Sequence, residues 1–334
     1  MKNSYSRFFV SLIILTGVLL IIFIMSLMIG PETFGLPRAQ DLNGKMKSEI
    51  IWLIFWEIRL PRALLGLTVG VTLGLAGAAL QGYLQNPLAE PGIIGVTASA
   101  SLFSVIAFYS GLASFVTLAL PVAGIMGALI AVIIIQLLAG RDTSPLTLIL
   151  AGVAVTSFAG AMTSLALNLS PNPFAAYEVL FWLLGSLSNV SIDHVWISIP
   201  FMTLGWLILG TLGNPLNALT LGQDEATSLG TNLRSLRIYL IFGVATSVGA
   251  ATAVAGAIGF VGLVIPHLLR PLAGYSPKKL LPLSALGGGI MLLAADILAR
   301  LLPFDREIKL GVLTAMVGAP FFLILLLKNR RSLL

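Results

Sequence analysis

Few side chains in this 334-residue chain could do chemistry inside an apolar protein. His267 and Asp296 are the main ionisable residues within its apolar stretches. The other histidine, His194, falls at a predicted outer helix end, and the chain has no cysteine, so no second nitrogen or sulfur ligand is placed to build a metal site with His267. Asp296 precedes Arg300 by four residues, a spacing that favours a structural ion pair on one helix face. We therefore predict no metal site.

Enzyme motifs are also missing from the sequence. The chain contains no Gly-x4-Gly-Lys-Ser/Thr phosphate loop, no Gly-x-Ser-x-Gly nucleophile elbow and no His-Glu-x2-His zinc helix. We predict no catalytic residue and no cofactor. An ion-coupled secondary transporter usually buries several ionisable groups, and the small number found here counts against that class, which stays the alternative.

Three arginines lie at helix ends that are predicted to face outward. Arg59 and Arg62 bracket Leu60-Pro61 at the start of the second apolar helix, and Arg300 lies at the end of the ninth. Arginines at helix ends commonly extend toward lipid headgroups, and this explanation stays open. Because basic residues set orientation from the inner face, arginines on the outer face favour a second explanation, which is contact with an acidic partner protein.

Two segments on the predicted inner face interrupt the helices. Two prolines and a glycine in residues 86–92 forbid a continuous helix, so this segment is either an ordinary turn or a gate loop with exposed backbone. The longest inner loop, 212–234, contains a predicted short helix from Gln223 to Gly230, and Thr231-Asn232 predicts the cap of a second short helix. Its leucines favour a docking surface for a cytoplasmic partner over a solvated connector.

Ten apolar stretches of spanning or near-spanning length must position these residues. Hydrophobic residues make up 57% of the chain and charged residues only 10%, which is too little polar surface for a soluble protein. About 20 apolar residues cross a hydrocarbon core of about 30 Å as a helix. Lipid offers no hydrogen-bond partner to the backbone N–H and C=O groups, so each such stretch must be helical. The predicted fold class is all-α: a polytopic membrane protein with about ten transmembrane helices in a single domain, 1–334.

The predicted topology places both termini in the cytoplasm. The crossings lie at about 8–30, 60–83, 93–112, 115–139, 145–168, 192–211, 235–257, 259–273, 279–300 and 308–327. Residues 31–58 are predicted as an outer loop with a short helix, and 169–190 as an outer segment with an interfacial half-helix. The inner segments then hold 11 of the basic residues and the outer segments 8, a modest bias in the expected direction.

Small residues on the second crossing predict how closely it packs. Gly66, Gly70 and Gly74 recur every four residues and therefore lie on one helix face. Missing side chains on that face let another helix approach to van der Waals contact. Close packing is favoured here over a ligand-binding role.

Several motifs of the chain resemble those of one transporter family. In chain order they are Arg59-Leu60-Pro61-Arg62, Ala76-Gly77-Ala78, Asn86 through Val96, Leu150-Ala151-Gly152-Val153, Gly259 through His267, Ala295-Asp296 and Gly318-Ala319-Pro320. This set, which runs from about residue 55 to residue 327, resembles the permease subunits of FecCD-type ABC importers. Those importers bring in ferric siderophores, haem and vitamin B12. The resemblance implies a non-catalytic permease with ten helices and a pathway lined mainly by the fifth and tenth.

The resemblance also implies partners and a cellular location. A second permease copy, in a homodimer, would enclose the pathway, two cytoplasmic ATP-binding subunits would power it, and a periplasmic binding protein would deliver cargo. The setting would be the bacterial inner membrane. Ferric siderophore is the first expected cargo because it is the commonest in the family, with haem or cobalamin next. We expect no nucleic-acid partner, since the net charge of +6 belongs to a membrane protein whose basic residues mostly set orientation.

Site residues follow from the same resemblance, position by position. Docking of the binding protein is expected at Arg59, Arg62 and Arg300. Coupling to the ATPase is expected at Gln223, Asp224, Glu225, Leu229, Gly230 and Leu233. A cytoplasmic gate is expected at Asn86, Leu88, Thr143 and Ser144.

Overall fold

The structure, a computed structural model, describes residues 2–30, 33–34, 44–116, 118–140, 144–170, 172–303 and 307–330. Its helices are α1 (Lys2–Met28), α2 (Gly44–Ile54), α3 (Leu60–Leu84), α4 (Val96–Tyr109), α5 (Leu112–Phe115), α6 (Ala119–Ala139), α7 (Pro145–Asn168), α8 (Pro173–Leu183), α9 (Ile192–Thr211), α10 (Gly213–Leu219), α11 (Gln223–Ser228), α12 (Leu233–Ala255), α13 (Val261–Leu269), α14 (Pro277–Leu301) and α15 (Leu310–Arg330). A π-helix (Phe55–Arg59) joins α2 to α3, and a 3₁₀-helix (Pro91–Ile94) precedes α4. The strands β1 (Ile29–Gly30) and β2 (Thr33–Phe34) pair antiparallel.

The all-α membrane fold that the sequence predicts is confirmed. Each of the ten predicted crossings corresponds to a helix: α1, α3, α4, α6, α7, α9, α12, α13, α14 and α15. Within the described ranges, seven helical segments are long and apolar enough to cross a membrane. The helices α4 and α13 are shorter, and so is the apolar part of α15 that the structure describes.

The predicted end of the seventh crossing and start of the eighth differ from the structure for backbone reasons. The eighth crossing, predicted at 259–273, is only the nine-residue helix α13. Gly256 ends α12 with a φ of +72°, and Phe260, with a φ of +67°, precedes α13, so neither residue continues a helix. The predicted half-helix within 169–190 is present as α8, which begins after Asn172 caps it through the backbone N–H of Phe174.

Helix α3 runs through the middle of the bundle. Almost all its side chains are buried, and it contacts α14, α13, α12 and α9. A β-carbon added at Gly70 or Gly74 would overlap the backbone of α14 at Gly288 or Ser284. The close-packing prediction is therefore confirmed at these two glycines, which hold α3 and α14 side by side in antiparallel directions.

The periphery of the bundle is apolar. Large apolar side chains on α1, α6, α7, α9 and α15 are exposed in the single chain, among them Ile13, Leu137, Phe158, Leu207 and Leu323. Such surface is unfavourable in water and suits either hydrocarbon or another membrane helix. The outside of the molecule thus agrees with a polytopic membrane protein.

Candidate functional site

The first group of candidate residues is a buried set of charges at the predicted outer face. We call Arg62, Asp296, Arg300 and Glu307 the outer charge cluster. Asp296 on α14 is fully buried and receives hydrogen bonds from two arginines. Arg62 at the start of α3 donates to its Oδ1, with Nε at 2.9 Å and Nη2 at 2.8 Å, and Arg300 donates to its Oδ2 from Nη2 at 2.6 Å. The predicted pair between Asp296 and Arg300 is confirmed.

The outer charge cluster also holds the end of α1. Arg300 donates from Nη1 to the carbonyl oxygens of Ser26 and Ile29, at 2.9 Å and 2.6 Å, and from Nη2 to the Ser26 hydroxyl at 2.7 Å. Arg62 completes the cluster through Nη1, which lies 2.9 Å from Glu307 Oε1. Charge-assisted bonds of this kind are strong when they are buried and fully made, so the cluster fixes α1, α3 and α14 to one another.

Burial limits what these arginines offer to a partner. Arg62 and Arg300 are each only 7% exposed, and their guanidinium groups bond within the chain. Arg59 is partly exposed, and its Nη1 donates to the carbonyl oxygen of Met28 at 3.2 Å. Docking by all three arginines stays a prediction. For Arg62 and Arg300, docking requires one of two things. Either the two side chains leave these contacts, or they hold Glu307 and the neighbouring chain in the shape that the partner contacts.

The second group is the segment 86–92, which we call the gate loop. Gln85 ends α3 in the left-handed conformation, with a φ of +49°, and the Asn86 side chain accepts a hydrogen bond from the Leu88 backbone N–H at 2.9 Å. Asn86 is exposed and Leu88 is partly exposed, so both predicted gate residues are near a surface of the single chain. The carboxylate of Glu90 accepts a hydrogen bond from the Phe260 backbone N–H at 3.3 Å, and burial raises the pKa of Glu90 above its ordinary value.

A buried glutamine that the sequence reasoning missed holds the gate loop to α13. Gln81 is 2% exposed, and its amide nitrogen lies within hydrogen-bond distance of the carbonyl oxygens of Ala89, at 3.3 Å, and Leu263, at 3.2 Å. Its amide oxygen accepts from Arg270 Nη2 at 2.7 Å. The only sequence signal was a polar residue inside an apolar stretch, which by itself does not identify these partners.

The third group is the segment 212–234, which we call the coupling segment. The helix predicted from Gln223 is present as α11, and its side chains are exposed apart from Ala226. Asp224, Glu225 and Leu229 all face outward, and Leu229 is 65% exposed. A single exposed leucine is ordinary on a protein surface, so docking of another protein on α11 stays a prediction.

The second short helix predicted after Thr231-Asn232 is wrong. Asn232 does act as a cap, accepting a hydrogen bond from the Ser235 backbone N–H at 2.9 Å, but the helix that begins there is the long helix α12. The prediction failed because the cap signal marks only a helix start and does not give its length. The other short helix is α10, which precedes α11. Leu233, the last predicted coupling residue, is the first residue of α12 and is partly exposed.

The fourth predicted position is the segment between α6 and α7. Thr143 lies outside the described residues. Ser144 is the N-cap of α7, where its hydroxyl accepts from the Thr147 backbone N–H at 3.4 Å. The structure therefore describes Ser144, one of the four predicted gate residues, as a helix cap, and its role in a gate stays a prediction.

A cavity that the sequence did not predict lies at the end of the molecule that carries α8. Its volume is about 660 Å³. The residues that line it include Glu178, Trp182, Ser188, His194 and Lys309. Within the described part of the chain, no group of three or more His, Cys, Asp or Glu is placed to hold a metal ion.

The family follows from comparison with known proteins. The model of the FecCD transport family matches residues 18–328, nearly the whole chain. The chain belongs to the FecCD transport family. Its motif resemblance is thereby confirmed, and the fold is that of a FecCD-family ABC transporter permease.

Relatives and solved structures agree with the FecCD assignment. The ABC transporter permease protein YvrB of Bacillus subtilis (strain 168) is 38% identical over 309 residues, covering 90% of this chain and 87% of that protein. The vitamin B12 import system permease protein BtuC of Citrobacter koseri is 41% identical over 281 residues, covering 84% of each. A solved ABC transporter of the metal-chelate type, in an inward-facing conformation, superimposes with a TM-score of 0.84 and 34% identity over 95% of this chain and 98% of that one.

Proposed function

We propose that this chain, a single permease domain over 1–334, is the membrane subunit of an ABC importer that carries an iron chelate across the bacterial inner membrane. The observation that carries the importer assignment is the 41% identity to a vitamin B12 import permease over 84% of both chains, and the siderophore expectation comes from the family. Ferric siderophore is the first expected cargo, and haem or cobalamin comes next. In this proposal the chain does no chemistry itself, and a partner subunit hydrolyses ATP.

The pathway in this proposal runs between two copies of the chain. The apolar faces of α7 and α15 support it, because side chains such as Phe158, Met316 and Leu323 are exposed in the single chain. A second copy would cover part of these faces and make a homodimer. A largely uncharged lining suits a bulky cargo that has already been captured outside, since tight binding inside the passage would slow its release.

Force for transport would enter through the coupling segment. The exposed helix α11 would sit on one of two cytoplasmic ATP-binding subunits, with Gln223, Asp224 and Glu225 at its start and Leu229 and Gly230 at its end. ATP binding would draw those subunits together, and the two permeases would then rock between an outward-open and an inward-open form. Asn86, Leu88, Thr143 and Ser144 would form the gate that opens on the cytoplasmic side.

Cargo would arrive at the opposite face with a periplasmic binding protein. Arg59, which is partly exposed, is the most accessible of the three proposed docking arginines. Arg62 and Arg300 would contribute after rearranging, or through the shape of the surface that the outer charge cluster supports. This orientation places both termini in the cytoplasm.

Reconstitution into liposomes tests the proposal. The permease, the ATPase subunit and the binding protein are combined with radiolabelled cargo, and uptake is measured with and without ATP, vanadate and an uncoupler. Uptake that needs ATP and stops with vanadate supports the importer. Uptake that persists without an active ATPase and collapses with the uncoupler would show an ion-coupled carrier instead. Ligand binding by the purified binding protein then identifies the cargo.

A further inference from the structure

A buried arginine lies between the coupling segment and the segment that leads to the predicted gate. Arg237, in the second turn of α12, is 1% exposed. Its Nη2 donates a hydrogen bond to the carbonyl oxygen of Gly140 at 2.7 Å. The remaining nitrogens, Nε and Nη1, are buried, and neither has a hydrogen-bond partner among the residues that the structure describes.

Packing alone does not explain an arginine at this position. Removing a guanidinium from water is costly, and a single bond to a neutral carbonyl compensates it only in part. A methionine would fill a similar volume without that cost, and buried ionic groups can often be replaced by apolar ones with no loss of stability. Because Nε and Nη1 are also closed to solvent, they are not available to a ligand, so the role of Arg237 lies in the bond that it makes.

That bond joins two parts of the chain that are far apart in sequence. On one side, α11 is tied closely to α12, because the Thr231 backbone N–H donates to the Ala226 carbonyl at 2.9 Å and Asn232 caps α12. A displacement of α11 is therefore passed on to the first turns of α12, where Arg237 lies. The connection is short and consists of one backbone hydrogen bond and one side-chain cap.

On the other side, Gly140 is the residue that ends α6. Its φ of +57° and ψ of −132° form a conformation that side chains with a β-carbon rarely adopt, and this turn directs its carbonyl toward Arg237. Four residues later, Ser144 caps α7, one of the two helices proposed to line the pathway. Arg237 thus connects the ATPase side of the molecule to the start of a pathway helix.

We propose that Arg237 is a positioning residue that passes movement of the coupling segment to the end of α6 at Gly140, so that ATP hydrolysis moves α6 together with α11. The inference rests on the proposed function, since it takes α11 as the part that an ATPase moves. It requires the Arg237 bond to persist while the coupling segment and Gly140 move together. Without that bond, α11 moves and the end of α6 does not follow.

The test compares Arg237→Met, Arg237→Lys and the control Arg7→Met in the full reconstituted importer. Arg7 is an exposed arginine on α1, outside the coupling segment, so it matches the charge change without the contact. For Arg237→Met we expect an assembled complex with near-normal ATP hydrolysis and cargo moved per ATP reduced by about two- to thirtyfold, the range of coupling mutations. Arg237→Lys should restore part of the ratio, and Arg7→Met should leave it unchanged.

Several results would overturn the inference. They are an unchanged ratio of cargo to ATP in Arg237→Met, an equal fall in Arg7→Met, or a parallel loss of assembly and hydrolysis that marks a purely structural residue. The proposed function fails separately, when the unmutated importer moves cargo without ATP.

A second measurement does not depend on transport. The chain has no cysteine, so spin labels can be placed at two introduced cysteines, Leu138→Cys on α6 and Thr227→Cys on α11, both at exposed positions. We expect the label distance to be the same with and without trapped ATP in the otherwise unmutated importer, and to change on ATP trapping in Arg237→Met. A distance that changes equally in both proteins would contradict a mechanical link through Arg237.

Discussion

The substitution Asp296→Asn gives a direct measure of the outer charge cluster. It keeps the size of the side chain and removes the buried charge that Arg62 and Arg300 share, at 2.8 Å and 2.6 Å. Among the described residues, the two buried guanidinium groups are then left with only one carboxylate, that of Glu307, which pairs with Arg62. Breaking a buried ion pair in this way costs about 3–5 kcal/mol.

Remaining contacts reduce the expected loss. Arg62 keeps Glu307, and Arg300 keeps two carbonyl oxygens and the hydroxyl of Ser26. We therefore expect a value near the lower limit, about 3 kcal/mol, which lowers the midpoint of thermal unfolding by about 5–10 °C. The assay is thermal unfolding of the detergent-purified permease, followed by its intrinsic fluorescence at one scan rate for all variants.

The matched control is Glu307→Gln. Glu307 is partly exposed, with 26% of its side-chain surface accessible, and it pairs only with Arg62 among the residues described. A pair of this kind is worth about 0–1 kcal/mol, so the midpoint should move little. The double variant Asp296→Asn with Arg300→Met should recover part of the loss, because one unpaired charge disappears. Equal midpoints for Asp296→Asn and the unmutated protein, or an equally large effect of Glu307→Gln, would refute the reasoning.

Three further predictions address docking, packing and the gate loop. Arg59→Glu should weaken capture of the permease by its immobilised binding protein and leave the unfolding midpoint unchanged. Arg62→Glu should weaken capture and also lower the midpoint, because it sets a carboxylate against Asp296 and Glu307. Unchanged capture by Arg59→Glu would contradict the docking proposal. Gly74→Val should reduce the yield of folded protein in size-exclusion chromatography, since a β-carbon there overlaps the Ser284 carbonyl, while Gly17→Val, at an α1 position with open space, should not. Glu90→Gln should raise the unfolding midpoint at neutral pH. Burial raises the pKa of Glu90 in the folded state, so the ionised form destabilises the fold. This destabilisation appears as pH rises through the raised pKa and disappears below about pH 4. A gain from Glu90→Gln that grows on acidification would show that the sign is wrong.

The helices were predictable because lipid leaves the backbone few choices. The fifth and sixth predicted crossings have the same bounds as α7 and α9, where the apolar stretches end at residues that stop a helix or cap its start. The end of the seventh crossing and the start of the eighth were misplaced because left-handed backbone at Gly256 ends α12 and left-handed backbone at Phe260 precedes α13. Gly256 is a recognisable signal, but nothing about phenylalanine indicates that conformation.

Side-chain partners across the bundle were predictable only where they are close in sequence. The pair between Asp296 and Arg300 follows from a spacing of four residues, whereas Arg62 lies 234 residues from Asp296 and meets it because α3 and α14 pack antiparallel. The register of that packing is set where Gly70 and Gly74 meet α14, so a change there would move the charges as well. The sequence did carry one usable hint. An aspartate inside a transmembrane stretch needs nearby positive charge, and Arg62 and Arg300 both lie at the same predicted end of the bundle as Asp296. The glycine face of α3 predicts a close helix neighbour, and the charges predict that this neighbour is the helix of Asp296. Only the two observations together identify Arg62 as an internal partner of Asp296.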